Sequence, residues 1–305
     1  MTANKTVLIT GASGFIGRNL AKKYSKDGWN VIGVGRSDWS DGHRWGIREW
    51  VVSDLSVGGL QSIESVPSLV IHCAGGSSVV RSMDNPYKDF MDTVNGTVNI
   101  LEYVRKFCPN AIFLYISSAA VYGSCDSGGV SEDFLPSPVS PYGSNKYCAE
   151  LMVNSYARNY GLSAVIVRLF SIYGNTLRKQ LLWDACNKLS SGCGEFFGTG
   201  KEIRDWLHID DVVNLLQVCA SHASTAVPVV NGGSGVGVST EDVLGRLIKF
   251  LGVDIAAEFT GRVREGDPSI LVANVATAKN YGWKPMVDFN DGLSDYVKWF
   301  ASCEK

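Results

Sequence analysis

A strand, a glycine-spaced turn and a helix within the first thirty residues constrain this chain more than anything after them. Thr6-Val7-Leu8-Ile9-Thr10 is a run of β-branched and apolar residues, which reads as a strand buried on both faces. Gly11-Ala12-Ser13-Gly14-Phe15-Ile16-Gly17 follows, then a helical stretch from Arg18 to Lys26, a stop at Gly28 and a second strand, Val31-Ile32-Gly33-Val34. Glycines at that spacing let the chain turn tightly, let backbone N–H groups approach a pyrophosphate, and let helix and strand pack closely. The pattern predicts an α/β fold with a doubly wound parallel sheet. At 305 residues and 45% apolar content, the chain can bury a large core in one big domain or two closely joined ones.

The net charge of -2 gives no electrostatic reason to expect nucleic acid as a partner. No stretch approaches the length of a membrane span, so no membrane partner is expected. Met1-Thr2-Ala3-Asn4-Lys5 passes directly into the first strand, which points to a cytoplasmic protein. The eight cysteines are scattered, with no CxxC pair and no His at zinc-ligand spacing, and read as free thiols with no metal site.

Further strands are read at Trp50–Leu55, Leu69–Ala74, Ile112–Ile116 and Ala164–Arg168. The fifth strand delivers Ser117-Ser118-Ala119-Ala120-Val121-Tyr122-Gly123 to the carboxyl edge of the sheet, where such folds place their sites. In Tyr142-Gly143-Ser144-Asn145-Lys146 a phenol and an amine lie one helical turn apart on one face. Bringing a phenol from pKa ~10 towards ~7 takes about 4 kcal/mol of preferential stabilisation of the phenolate. An ammonium held nearby in a partly dry cleft can supply much of it. His72 reads as a satisfied core residue and Asp210-Asp211 as the acidic start of a helix.

The GxxGxxG turn after a Thr, with Ser118, Tyr142 and Lys146, resembles the short-chain dehydrogenase/reductase superfamily. The likeness is to its extended branch of nucleotide-sugar epimerases, dehydratases and reductases, and it spans nearly the whole chain. It implies a Rossmann-type NAD(P)-binding domain over 1–170, with a returning segment near 205–232. A smaller, discontinuous and mainly substrate-binding domain would occupy 171–305. It implies Ser118, Tyr142 and Lys146 as the catalytic triad, and a homodimer through the helices after Asp84 and Tyr142. Cofactor contacts are implied for Gly11, Ser13, Gly14, Phe15, Ile16 and Gly17, for Asp54 and Leu55, for Cys73, Ala74 and Gly75, and for Asn95, Ser117, Tyr142 and Lys146. The sugar pocket would be lined by Ser78 and Ser82 of an SVxxS loop, with Ser118 and Ala119. Ser171 stands where relatives carry an Asn that touches the sugar diphosphate. Arg204, and Arg264 in Arg262-Val263-Arg264-Glu265-Gly266-Asp267, would bind that diphosphate.

Two departures bear on the reaction. The second strand ends in Gly35-Arg36-Ser37, where Arg36 and Ser37 suit a 2′-phosphate, so NADP is expected, with NAD left possible by Asp38. The 4,6-dehydratases of the branch carry an Asp-Glu pair after the catalytic Ser or Thr; here Ala119 and Ala120 cannot transfer a proton. The leading expectation is an NADP(H)-dependent reductase of a nucleotide-diphosphate 4-keto-6-deoxyhexose, acting at C4. The alternative is a nucleotide-sugar 4-epimerase that retains NAD, and a third reading is a non-catalytic, NADP-sensing interaction protein.

Overall fold

The computed structural model describes residues 5–56, 58–125, 129–262 and 268–303. In chain order come β1 (Thr6–Thr10), α1 (Phe15–Lys26), β2 (Asn30–Gly35), β3 (Glu49–Val52), β4 (Leu69–His72), α2 (Val79–Asp84) and α3 (Pro86–Phe90). They are followed by α4 (Gly96–Phe107), β5 (Ile112–Ser118), α5 (Pro141–Tyr160), β6 (Ala164–Leu169), β7 (Ser171–Tyr173), α6 (Gln180–Ser190), β8 (Glu195–Phe196) and β9 (Ile203–His208). The last elements are α7 (Ile209–Ala220), β10 (Val229–Gly232), β11 (Gly237–Ser239), α8 (Thr240–Leu251), β12 (Glu258–Phe259), β13 (Ile270–Leu271), α9 (Ala276–Asn280) and α10 (Phe289–Cys303).

Seven strands form one parallel sheet in the order β10-β6-β5-β4-β1-β2-β3. The strand order reverses beside β1, so the carboxyl ends of β1 and β4 border a crevice, the place where doubly wound sheets bind ligands. Side-chain alternation fills both faces. Val7 and Ile9 pack with Leu114, Ile116, Val165 and Val167 beneath α1 and α7. Leu8 packs with Phe113, Tyr115 and Ile166 beneath α4 and α5. β5 runs two residues further than its sequence suggests, because Ser117 and Ser118 keep register with Arg168 and Leu169 of β6.

α5 begins where Ser140 accepts a hydrogen bond from the Gly143 N–H, with Pro141 in the first turn, and ends at Gly161 in the left-handed region (φ 71°). Its buried stripe is Gly143, Asn145, Lys146, Ala149, Glu150, Val153 and Ala157, apolar at one end and polar at the end nearest the crevice. Glu150 is the lower anchor of that polar end. It takes two bonds from Arg168 of β6 (3.0 and 2.7 Å) and one from the Ser117 hydroxyl (2.6 Å). The Arg168 guanidinium also lies over the Tyr122 ring at 4.8 Å. A buried ion pair of this kind adds little net stability, but it is costly to break and so fixes β5, β6 and α5 in one arrangement.

β10 returns the chain to the large sheet beside β6. A second, smaller sheet orders β11-β9-β13, with β7 also paired to β9. Its core joins α6, α8 and α10 through Leu182, Leu244, Tyr296 and Phe300. The buried Asp205 carboxylate ties this region together, accepting from the backbone N–H groups of Ser234, Gly235 and Ala273 and from the Ser234 hydroxyl. Asp211, read from sequence as a helix-start charge, instead accepts from the Met286 and Val287 N–H groups at 2.9 and 3.0 Å. The cap of α7 is His208, whose Nδ1 accepts from the Asp210 N–H at 3.3 Å.

Candidate active site

The glycine turn after β1 is built against the end of β4. Gly11 has φ +64°, and a Cβ there would stand 2.9 Å from the Ala74 nitrogen. Gly14 caps α1 from an extended conformation; no side chain caps that end, and its first turn carries no acidic residue. The first-turn N–H groups and the positive end of the helix dipole thus face the crevice, an arrangement that fits the pyrophosphate of a dinucleotide. Thr10, Cys73 and Ala74 are tied together: Cys73 N–H donates to Thr10 O, and Ala74 N–H to the Thr10 hydroxyl.

Ser118 ends β5 and Tyr142 opens α5, and the two meet because the helix comes unusually close. A Cβ on Gly143 would stand 2.5 Å from the Ala120 carbonyl oxygen. The Tyr142 N–H donates to the Ser82 hydroxyl at 3.1 Å, which in turn donates to Val79 O at 2.7 Å. Burial raises the Tyr142 phenol above its ordinary pKa, and Asp89 raises it further, while the hydrogen bond with Ser118 opposes the rise. The Lys146 ammonium donates to Ile116 O at 2.9 Å and lies 5.2 Å from the centre of the Tyr115 ring. Burial pushes Lys146 down to about 8 against the partial support of neighbouring negative groups. The expectation that Lys146 lowers the Tyr142 pKa is corrected here: the ammonium is directed at a strand carbonyl, and Ser118 is the group that lowers the phenol.

A model of the NAD dependent epimerase/dehydratase family matches residues 7–233. The chain belongs to this family. It is 29% identical to a putative UDP-glucose 4-epimerase of Methanocaldococcus jannaschii, over 97% of this chain and 98% of that protein. It is 30% identical to a CDP-paratose 2-epimerase of Salmonella typhi, over 97% and 99% of the two chains. Among solved structures, MoeE5 in complex with UDP-glucuronic acid and NAD superposes with a TM-score of 0.88 at 29% identity, covering 98% of this chain and 99% of that one.

In this family member, several residues singled out from sequence surround the crevice. Ser13, Phe15, Ile16 and Gly17 form the turn and first turn of α1, and Gly75 leads from β4 into the loop before α2. Ser78 caps α2 by accepting from Arg81 N–H. Leu55 is buried in the left-handed region (φ 71°), its N–H bonded to the Ser53 hydroxyl. Asp54 accepts from Ser56 N–H at 2.9 Å and acts as a local cap. Arg204 lies on β9 and Ser171 on β7, and Arg264 lies outside the described residues. Ala119 is buried in the turn after Ser118.

Other site residues carry no local sequence signal. Thr93, two residues before Asn95, accepts the Gly76 N–H at 2.9 Å and so fixes the loop after β4. It lies in a single π turn, Met91–Asn95, a distortion frequent at functional sites. A cleft of about 530 Å³ opens between Phe15 and Arg18 on one side and Thr176, Leu177, Arg178 and Lys179 on the other. Lys179 reaches across to the Ser77 hydroxyl at 3.2 Å. His72 is the core residue expected. The Thr10 hydroxyl meets its Nδ1 at 2.6 Å and Thr97 its Nε2 at 3.2 Å, and burial pushes it to about 3, so it stays neutral.

The buried Lys146 makes stability depend on pH with a defined sign. Below pH 8 folded and unfolded chains both hold the proton, and the folded chain carries the full cost of burying it. Between about 8 and the ordinary 10.5 only the unfolded chain holds it, so stability rises with pH across that window. Lys146→Met removes a cost of up to about 3 kcal/mol, offset by about 1–2 kcal/mol for an unpaired Ile116 carbonyl. Denaturant unfolding at a series of pH values should show the variant's stability relative to wild type falling as pH rises from 8 to 10.5. A difference that stays constant with pH would contradict this account of Lys146.

Proposed function

We propose that the chain is a nucleotide-sugar 4-epimerase working with retained NAD, the reading that sequence alone ranked behind a keto-sugar reductase. The observation that carries this choice is at Arg36. Its guanidinium donates to both carboxylate oxygens of Asp92, at 3.1 and 3.2 Å, and Lys88 approaches the same carboxylate at 3.1 Å. An exposed pair of this kind is weak. Its consequence is local: the Arg36 guanidinium is taken up by a carboxylate rather than left for a 2′-phosphate, which suits a cofactor carrying a 2′-hydroxyl. End-to-end similarity to 4-epimerases, and a structural neighbour holding NAD with UDP-glucuronic acid, support the same reading.

Held at the glycine turn after β1, NAD would supply reversible hydride acceptance at C4 of the sugar, the chemistry that inverts that carbon. Tyr142 takes the proton from the C4 hydroxyl and gives it back to that oxygen after the ring has turned. Ser118 hydrogen-bonds the same oxygen and keeps the phenol titratable, the direction its contact with Tyr142 already has. Lys146 would hold the nicotinamide ribose. Ala119 and Ala120 place no proton acceptor in the turn after Ser118, so elimination of water does not compete. The substrate class is a UDP-hexose or UDP-hexuronate, its diphosphate gripped by Arg204 and Arg264. In domain terms, the seven-stranded sheet with the 205–232 return is the cofactor unit, and the rest of 171–305 encloses the sugar.

A homodimer belongs to the same reading. Val80, Met83, Tyr87, Phe90 and Met91 of the α2–α3 region and Leu151 of α5 are exposed apolar residues. Light scattering should give a dimer, and Tyr87→Asp a monomer; a monomeric wild-type protein at micromolar concentration would refute the interface.

Purified protein, given UDP-glucose or UDP-glucuronate and no added cofactor, should form the C4 epimer with no lasting change in nicotinamide absorbance. Heating should release NAD, and Asp92→Asn should raise NADP affinity relative to NAD by about tenfold. Stoichiometric consumption of NADPH with a 4-keto-6-deoxy nucleotide sugar, and no epimer, would restore the reductase.

A further inference from the structure

Between Tyr142 and Lys146, on the same buried stripe of α5, lies Asn145. Its Nδ2 donates to Asp89 Oδ2 of α3 at 2.8 Å, and both residues are buried. The other oxygen, Oδ1, packs against Gly76 so tightly that a Cβ on Gly76 would collide with it. Asp89 therefore sits between the loop after β4 and the stripe that carries the reacting pair.

A buried carboxylate calls for a matching cation. Glu150, one turn beyond Lys146, has one in Arg168. Asp89 is held by a neutral amide, and the cation its charge supports is Lys146. Glu150 also supports that ammonium but already has Arg168 as its counter-ion, and the remaining groups facing it add little charge. Burial raises the Cys73 thiol to about 12, so it stays neutral; His72 is neutral as well, and burial holds the Tyr115 phenol well above its ordinary range.

We propose that Asp89, fixed by Asn145, is a positioning residue for the reaction, whose carboxylate keeps Lys146 in its ammonium form and sets the pH at which the Tyr142 phenol gives up its proton. The proposal rests on the reading of Tyr142 and Lys146 as the reacting pair. The two effects have one sign. The Asp89 charge raises the pKa of both groups, so its removal moves both to lower pH.

The test uses the holoenzyme and two readouts. One is the pH profile of kcat/KM for epimerisation of UDP-glucose or UDP-glucuronate. The other is competitive acetylation of Lys146 by acetic anhydride across pH, read by mass spectrometry, which needs no turnover. In Asp89→Asn both limbs of the profile should shift to lower pH by about one unit, and acetylation of Lys146 at pH 7 should rise about fivefold. Asp89→Glu should restore both. Asn145→Asp, which adds a second negative charge at the same place, should move both readouts the other way. Unchanged limbs and an unchanged acetylation midpoint in Asp89→Asn would overturn the proposal, even if kcat fell. A Tyr142→Phe variant that still epimerises would instead overturn the reacting pair, and the acetylation readout would still report on Asp89 and Lys146.

Discussion

The close approach of α5 to the carboxyl end of β5 is the contact on which the rest of the structure depends. It is possible because residue 143 is glycine, facing the Ala120 carbonyl where a side chain would collide. It brings Ser118 of the strand beside Tyr142 of the helix, and lets Lys146 reach back to Ile116 O. One turn further on, Glu150 closes onto Ser117 and Arg168. Shift the helix outward by the width of a methyl group and each of these contacts lengthens together. The buried polar stripe is costly to desolvate, and the seven-stranded sheet, filled on both faces, supplies the stiffness that holds it in one geometry.

Electrostatics then divides the labour within that stripe. Burial alone would leave the phenol too weak an acid and the amine too weak a base to be an ammonium. Ser118 works against the first effect, and Asp89 against the second. Glu150, paired with Arg168, anchors the helix and adds to the support of the Lys146 ammonium. The same logic holds at the far end of the crevice, where Asp92 answers Arg36. In both places an acidic residue on the α3–α4 segment supplies the negative charge for a cation brought by another element.

What was legible in the chain is what local spacing determines. The strand, glycine turn and helix at the N-terminus, the serine at the strand end, and the Tyr142–Lys146 turn all follow from residues within a few positions of one another. Contacts between distant elements were not. Asp89 and Asn145 are 56 residues apart, as are Arg36 and Asp92, so the cation after β2 was visible while its counter-ion was hidden. The NADP expectation followed from that half of the pair. Asp211 shows the limit of a sound local rule: a carboxylate in a first helical turn suits capping, yet this one is taken up by N–H groups 75 and 76 residues downstream. Thr93 gave no such local signal, since its bond to the Gly76 N–H joins a single π turn to the loop after β4, 17 residues earlier.

The central claim is that one phenol serves a hydride that leaves C4 and returns to it, with no net consumption of cofactor. The most direct measurement follows a label. A UDP-hexose substrate carrying deuterium at C4 would be converted in the presence of excess unlabelled NAD and examined by mass spectrometry and NMR. The account predicts that the epimer keeps its deuterium at C4, and that Tyr142→Phe abolishes the conversion. Loss of the label to the free nicotinamide pool, or conversion that survives in Tyr142→Phe, would contradict it.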